Sequence, residues 1–99
     1  MEDVRIVHVL IRGRVQGVGF RAWTQHQAEL RGIEGWVRNR RDGAVEALLS
    51  GREDTVEAML DACREGPSTG RVEDIEVSTG DEALIAAPGS GRFAVLPTA

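Results

Sequence analysis

Glycine falls three times in seven residues, at Gly13, Gly17 and Gly19, within the run Gly13-Arg14-Val15-Gln16-Gly17-Val18-Gly19-Phe20-Arg21. Glycine admits positive φ and lets backbone N–H groups approach a ligand closely. A helix start adds unpaired donors and the positive end of the macrodipole. A glycine loop that runs into a helix is therefore an anion cradle in outline, although a tight turn needs the same residues. Arg21 bears on that choice. A cation in the first turn of a helix opposes the dipole by about 0.3–1 kcal/mol, and a bound anion reverses that sign. The alternative for Arg21 is a side chain turned to solvent or to an acidic neighbour. No Lys-Ser/Thr pair ends the loop and its glycine spacing is not the dinucleotide fingerprint, so nucleotide-loop readings are weak. The carboxamide of Asn39 both donates and accepts, as a group holding a water against a substrate must. Beside Arg40-Arg41-Asp42-Gly43 it also reads as ordinary turn chemistry.

The elements that would carry these residues emerge from periodicity. Val4 to Arg12 alternates with period two, is rich in β-branched residues and is apolar on both faces, which predicts an interior strand. Phe20 to Arg31 lacks Gly and Pro and stops at Gly32, which predicts a helix whose core face is Phe20, Trp23, Gln27 and Leu30, with Ala28 alongside. Gly35 to Asn39 and Val45 to Leu49 read as strands joined across Asp42-Gly43, a hairpin signal. Arg52 to Glu65 sets Val56, Met59, Leu60 and Cys63 on one stripe, starts with acids and stops at Gly66-Pro67, so it is a second helix. Val72 to Val77 predicts a further strand and Arg92 to Leu96 a short final one; Leu84 to Ala87 is left between an extended piece and a packed loop.

The order βαββαβ, with that short strand after it, predicts an α+β ferredoxin-like sandwich: an antiparallel sheet with two helices on one face. In that topology the first two strands run parallel with the third between them. The loop after Arg12 then lies at the same sheet edge as the residues after Val37, about 10 Å away by two strand spacings.

The chain has 99 residues with 12 basic and 16 acidic side chains, and 41% of its residues are hydrophobic, enough for one core. A single domain over residues 1–99 is expected. All basic residues are arginine, and eight of them fall within residues 1–41 against four acids, whereas residues 42–99 carry four against twelve. A net charge of −4 with few aromatics argues against bulk nucleic-acid binding and leaves room for a small local anion. The apolar runs are too short to span a bilayer, and no signal peptide is evident. Cys63 is the one cysteine, so no internal disulfide is expected and a cytoplasmic monomer is the simplest expectation.

Other chemically capable residues read as structural. His8 and His26 lack ligand spacing, Cys63 falls on an apolar stripe, and Trp23 and Trp36 read as packing residues. Glu73, Asp74 and Glu76 read as a solvated strand face. Arg38, Arg40 and Arg41 either steer anions or keep a hairpin soluble.

The loop from Gly13 to Arg21 and the segment Gly35-Trp36-Val37-Arg38-Asn39-Arg40-Arg41-Asp42-Gly43-Ala44-Val45-Glu46, in that order, resemble the signature segments of the acylphosphatase family. The likeness runs from Val7 to Phe93. It departs from the family at Arg31, where a leucine is usual, and between Gly80 and Gly91. The resemblance implies a ferredoxin-like fold and hydrolysis of carboxyl-phosphate anhydrides to carboxylate and inorganic phosphate, without metal or other cofactor. By position, it implies that Arg21 binds the phosphoryl group together with the amides of Gln16, Gly17, Val18, Gly19 and Phe20, and that Asn39 orients the attacking water. A non-catalytic ferredoxin-like module that binds an anion or RNA, and a domain serving a larger maturation enzyme, are the alternatives.

Overall fold

The computed structural model of the chain describes residues 4–81 and 93–99. Alternation of β-branched residues produces β1 (Val4–Arg14), and Val7, Val9 and Ile11 turn their side chains to the core with at most 2% exposure. The chain continues through α1 (Phe20–Leu30), β2 (Glu34–Asn39), β3 (Val45–Arg52), α2 (Glu53–Glu65), β4 (Arg71–Thr79) and β5 (Phe93–Val95). The five strands form one sheet in the order β4-β1-β3-β2-β5. β5 pairs parallel to β2, and the remaining neighbours are antiparallel. This is the expected ferredoxin-like arrangement, with β1 interior and β3 between the parallel β1 and β2.

The core lies between the sheet and its helices. From α2 it takes Val56, Met59, Leu60 and Cys63, the stripe read from the sequence. Burial pushes the Cys63 thiol up to about 12, so it packs as a small apolar group. Helix α1 differs from expectation. Its buried residues are Phe20, Thr24 and Ala28, Trp23 is only partly buried, and Leu30 is 68% exposed. The packed line is i, i+4, i+8, rotated from the face that apolarity alone selects. Thr24 tolerates that position because its hydroxyl donates to the Phe20 carbonyl at 2.8 Å. At the departure from the family pattern, Arg31 caps the helix end and its Nη1 donates to Gln27 O and Oε1 at 3.1 and 2.7 Å.

Several strands run longer than their sequence patterns. β1 reaches Arg14 across an irregularity at Arg12/Gly13, where a Cβ on Gly13 would stand 2.3 Å from the Arg71 carbonyl oxygen. β3 extends to Arg52 and β4 starts one residue earlier than expected and ends at Thr79, whereas the final strand, Phe93–Val95, is shorter than expected and stops before Leu96. Leu84 to Ala87 lies outside the described residues.

On the sheet face away from the helices, Glu46 is 5% exposed and is held by Arg38 Nε and His8 Nε2, each 2.6 Å away. The Arg38 guanidinium also lies 4.8 Å over the Trp36 ring. Glu73, Asp74 and Glu76 are exposed, as read from the sequence.

Candidate active site

The loop between β1 and α1 is shaped by glycine. Gly17 and Gly19 sit at φ +75° and +80° with open space where a Cβ would be, so backbone conformation selects glycine there. Gly19 is also the N-cap of α1, has no side-chain cap, and is followed by a first turn without an acid. The first intrahelical bond runs from Trp23 N–H to Gly19 O at 3.0 Å, leaving the N–H groups of Phe20, Arg21 and Ala22 ahead of the helix ladder. Arg21 lies in that turn, half-buried, with no acidic partner among the described residues.

The second half comes from β2. Asn39 pairs with Val45 in the register of β2 with β3, and Ile11 pairs with the same Val45 from β1. One valine of β3 thus separates the loop's strand from the carboxamide. The turn after Asn39 is closed by Arg40 N–H to Ala44 O at 2.8 Å, and by Ala44 N–H to Asp42 Oδ1 at 3.0 Å. That N–H bond, supported by Arg40 and Arg12, holds the Asp42 carboxyl below its ordinary range. The Asn39 carbonyl oxygen receives the Ala99 N–H at 2.9 Å. Its side-chain Oδ1 is different: it is buried and has no hydrogen-bond partner among the described residues. A buried carbonyl left unpaired costs about 1–3 kcal/mol.

Between these halves lies a pocket of about 290 Å³, lined by Val15, Gly17, Gly19, Phe20, Arg21, Ala22, Gln25, Asn39 and Val95. The fold therefore brings Gly17, Gly19, Phe20, Arg21 and Asn39 together. Gln16 and Val18 flank the pocket without lining it. The Gln16 side chain turns to the 40–44 turn, and Val18 packs against the core. Ala22, Gln25 and Val95 were not singled out from the sequence. Gln25 comes one helical turn after Arg21, a spacing that places both on one face. Val95 arrives by the pairing of β5 with β2, for which the sequence has no local signal.

Among the described residues, no carboxylate and no imidazole lines the pocket, which offers one guanidinium, two side-chain amides and backbone donors. Among the described residues, no group of three or more His, Cys, Asp or Glu is placed to hold a metal ion. Arg38 and Arg40 are paired with Glu46 and Asp42 instead of lining the pocket; Arg41 is exposed.

The fold and this site define a small α+β sandwich with a glycine loop at a helix start and a carboxamide facing each other at one sheet edge. Comparison with known proteins gives that class a family. The sequence matches the acylphosphatase family over residues 7–86. It is 53% identical over 94 residues to an acylphosphatase of Rhodopseudomonas palustris (strain BisB5), covering 94% of this chain and 95% of that one. The structure is similar to the acylphosphatase of Bacillus subtilis, with a TM-score of 0.81, 35% identity, and 95% and 99% of the two chains covered. It is also similar to 12% of the much longer T. kodakarensis HypF, at 28% identity and a TM-score of 0.75 over 96% of this chain. The chain belongs to the acylphosphatase family, and its reaction is hydrolysis of acyl phosphates.

Proposed function

We propose that Arg21 and the backbone amides of Gln16 to Phe20 hold the phosphoryl group, and that Asn39 orients the water that attacks it. The observation that carries this assignment is that Asn39, whose buried Oδ1 has no hydrogen-bond partner among the described residues, lines the same pocket as Arg21. The carboxamide oxygen accepts a hydrogen bond from the water and so aims a lone pair at phosphorus. The guanidinium and amides draw charge from the non-bridging oxygens. As the water oxygen bonds to phosphorus, the bond from phosphorus to the bridging oxygen breaks and its electron pair leaves with the carboxylate. With no carboxylate or imidazole of the described residues in the pocket, the proton lost by the water goes to a phosphoryl oxygen. A carboxylate is a far better leaving group than an alkoxide, so positioning and electrostatics suffice.

The ligands in this reading are a small acyl phosphate and inorganic phosphate, and no metal takes part. Nucleic acid is not a partner: Arg5, Arg12, Arg38, Arg40, Arg52 and Arg64 are all engaged by acids, which breaks up a basic face. A cytoplasmic monomer accords with a lone buried thiol.

Benzoyl phosphate hydrolysis with a chelator present tests the assignment, through Asn39→Ala. Turnover persists in the chelator. In the variant kcat falls by about 10²–10³, while inhibition by inorganic phosphate changes by less than about threefold. Chelator-sensitive turnover sinks the metal-free mechanism, and parallel losses of kcat and phosphate affinity sink the role of Asn39.

A further inference from the structure

The two halves of the site stand on strands that are not neighbours. β3 lies between β1 and β2, and both meet it at Val45, so no main-chain ladder joins the loop's strand directly to that of Asn39. A side chain does so. Gln16 Nε2, in the loop, donates to the Arg40 carbonyl at 2.7 Å and to the Ala44 carbonyl at 2.9 Å. Those two carbonyls close the turn that starts directly after Asn39, since Ala44 O also accepts from Arg40 N–H and Arg40 O from Gly43 N–H. Both protons of the amide nitrogen are thus committed, one to each arm of the turn. The carboxamide cannot swing away without giving up a bond. On its other flank the loop is tied separately, by Thr69 Oγ1 donating to Val18 O at 2.7 Å.

We propose that the Gln16 side chain is a positioning residue for the hydrolysis, setting the separation between the phosphoryl-holding loop and Asn39. This rests on the roles assigned above to Arg21 and Asn39. Its amide nitrogen is spent on the 40–44 turn and Gln16 does not line the pocket, so the side chain acts through that turn and not on the reacting atoms. In-line attack tolerates little displacement, and about 1 Å of misplacement can cost about 10²-fold in rate. Phosphate binding needs the loop alone, which keeps its Thr69 tie.

The test uses the full chain with Gln16→Met, which keeps length and volume without donors, and Gln16→Glu, which turns acceptors toward two carbonyls. For Gln16→Met, kcat on benzoyl phosphate falls by about 10- to 100-fold while the inhibition constant of inorganic phosphate moves by less than about threefold. For Gln16→Glu, activity is low near neutral pH. It recovers in part toward about pH 5, as the introduced carboxyl takes up a proton and can donate again, a rise the parent protein lacks. A kcat for Gln16→Met within about twofold of the parent, or a matching loss of phosphate affinity, overturns the proposal. If Gln16→Met melts below the assay temperature, the pH response of Gln16→Glu decides, and a flat response overturns it. Arg21→Ala and Asn39→Ala are measured alongside. If they depart from their assigned behaviour, the reading of the whole site falls. If they keep to it and the Gln16 variants retain kcat, only the positioning role falls.

Discussion

Arg21 stands where a chain selected only for stability would place an acid, and that makes its replacement informative. In phosphate-free buffer Arg21→Ala removes a half-buried cation from a first turn with no acid and no side-chain cap. The unfavourable dipole contribution of about 0.3–1 kcal/mol disappears with it, partly offset by lost contacts of the side-chain stem. At about 4–8 °C per kcal/mol for a domain of this size, the melting temperature of the variant should match or exceed that of the parent by a few degrees. Adding phosphate to about 100 times its dissociation constant stabilises the parent by about 2.7 kcal/mol, or roughly 10–20 °C. The variant, lacking the guanidinium, gains far less. The order of the two melting temperatures therefore inverts as phosphate is titrated, and a thermal-shift series tracks the crossing. A variant already several degrees below the parent without phosphate would refute the reasoning, because Arg21 would then hold the fold together.

Two other perturbations probe the scaffold. Burial pushes the Glu46 carboxyl up, but the hydrogen bonds and charges of Arg38 and His8 outweigh it and hold it below the ordinary 4.5. A carboxyl depressed on folding stabilises above its unfolded value and loses that contribution as pH falls through the folded one. Glu46→Gln should accordingly cost about 1–3 kcal/mol near neutral pH and flatten the decline in urea stability below about pH 4.5; an unchanged acid slope counts against it. At Gly35, φ is +136° and a Cβ would stand 1.8 Å from the Leu48 carbonyl oxygen, whereas Gly43, at φ +96°, has open space around it. Gly35→Ala should fail to fold or lose more than about 3 kcal/mol, while Gly43→Ala should lose about 1–2 kcal/mol. Circular dichroism melts distinguish the two, and equal costs would contradict this account of the sheet.

Period-two alternation in β1, the apolar stripe of α2 and the Asp42-Gly43 turn made the topology legible, since each is a local pattern with a local cause. The loop glycines and Arg21 were legible for the same reason: their types conflict with what stability alone would choose. The face of α1 was not legible. Which line of a helix meets the sheet depends on approach and on side-chain volume at the contact, and Thr24 hides its hydroxyl against Phe20 O only once the helix exists. Val95 in the pocket and the Gln16 bridge were equally hidden, because both arise from contacts between segments distant in the chain.

The connections of the chain are sorted between two ends of the sheet. Residues 15–19, 40–44 and 66–70 all meet at the edge that carries Asn39, where Thr69 braces Val18 and Gln16 braces the hairpin. The turn from α1 to β2 lies at the opposite edge, with Gly32 exposed and nothing near the position of its absent Cβ. The fold thus has one end where added length would pull the glycine loop from Asn39, and another whose turn lines no part of the pocket. Gly32 is accordingly where an inserted peptide or a fused reporter can be carried at little cost to turnover.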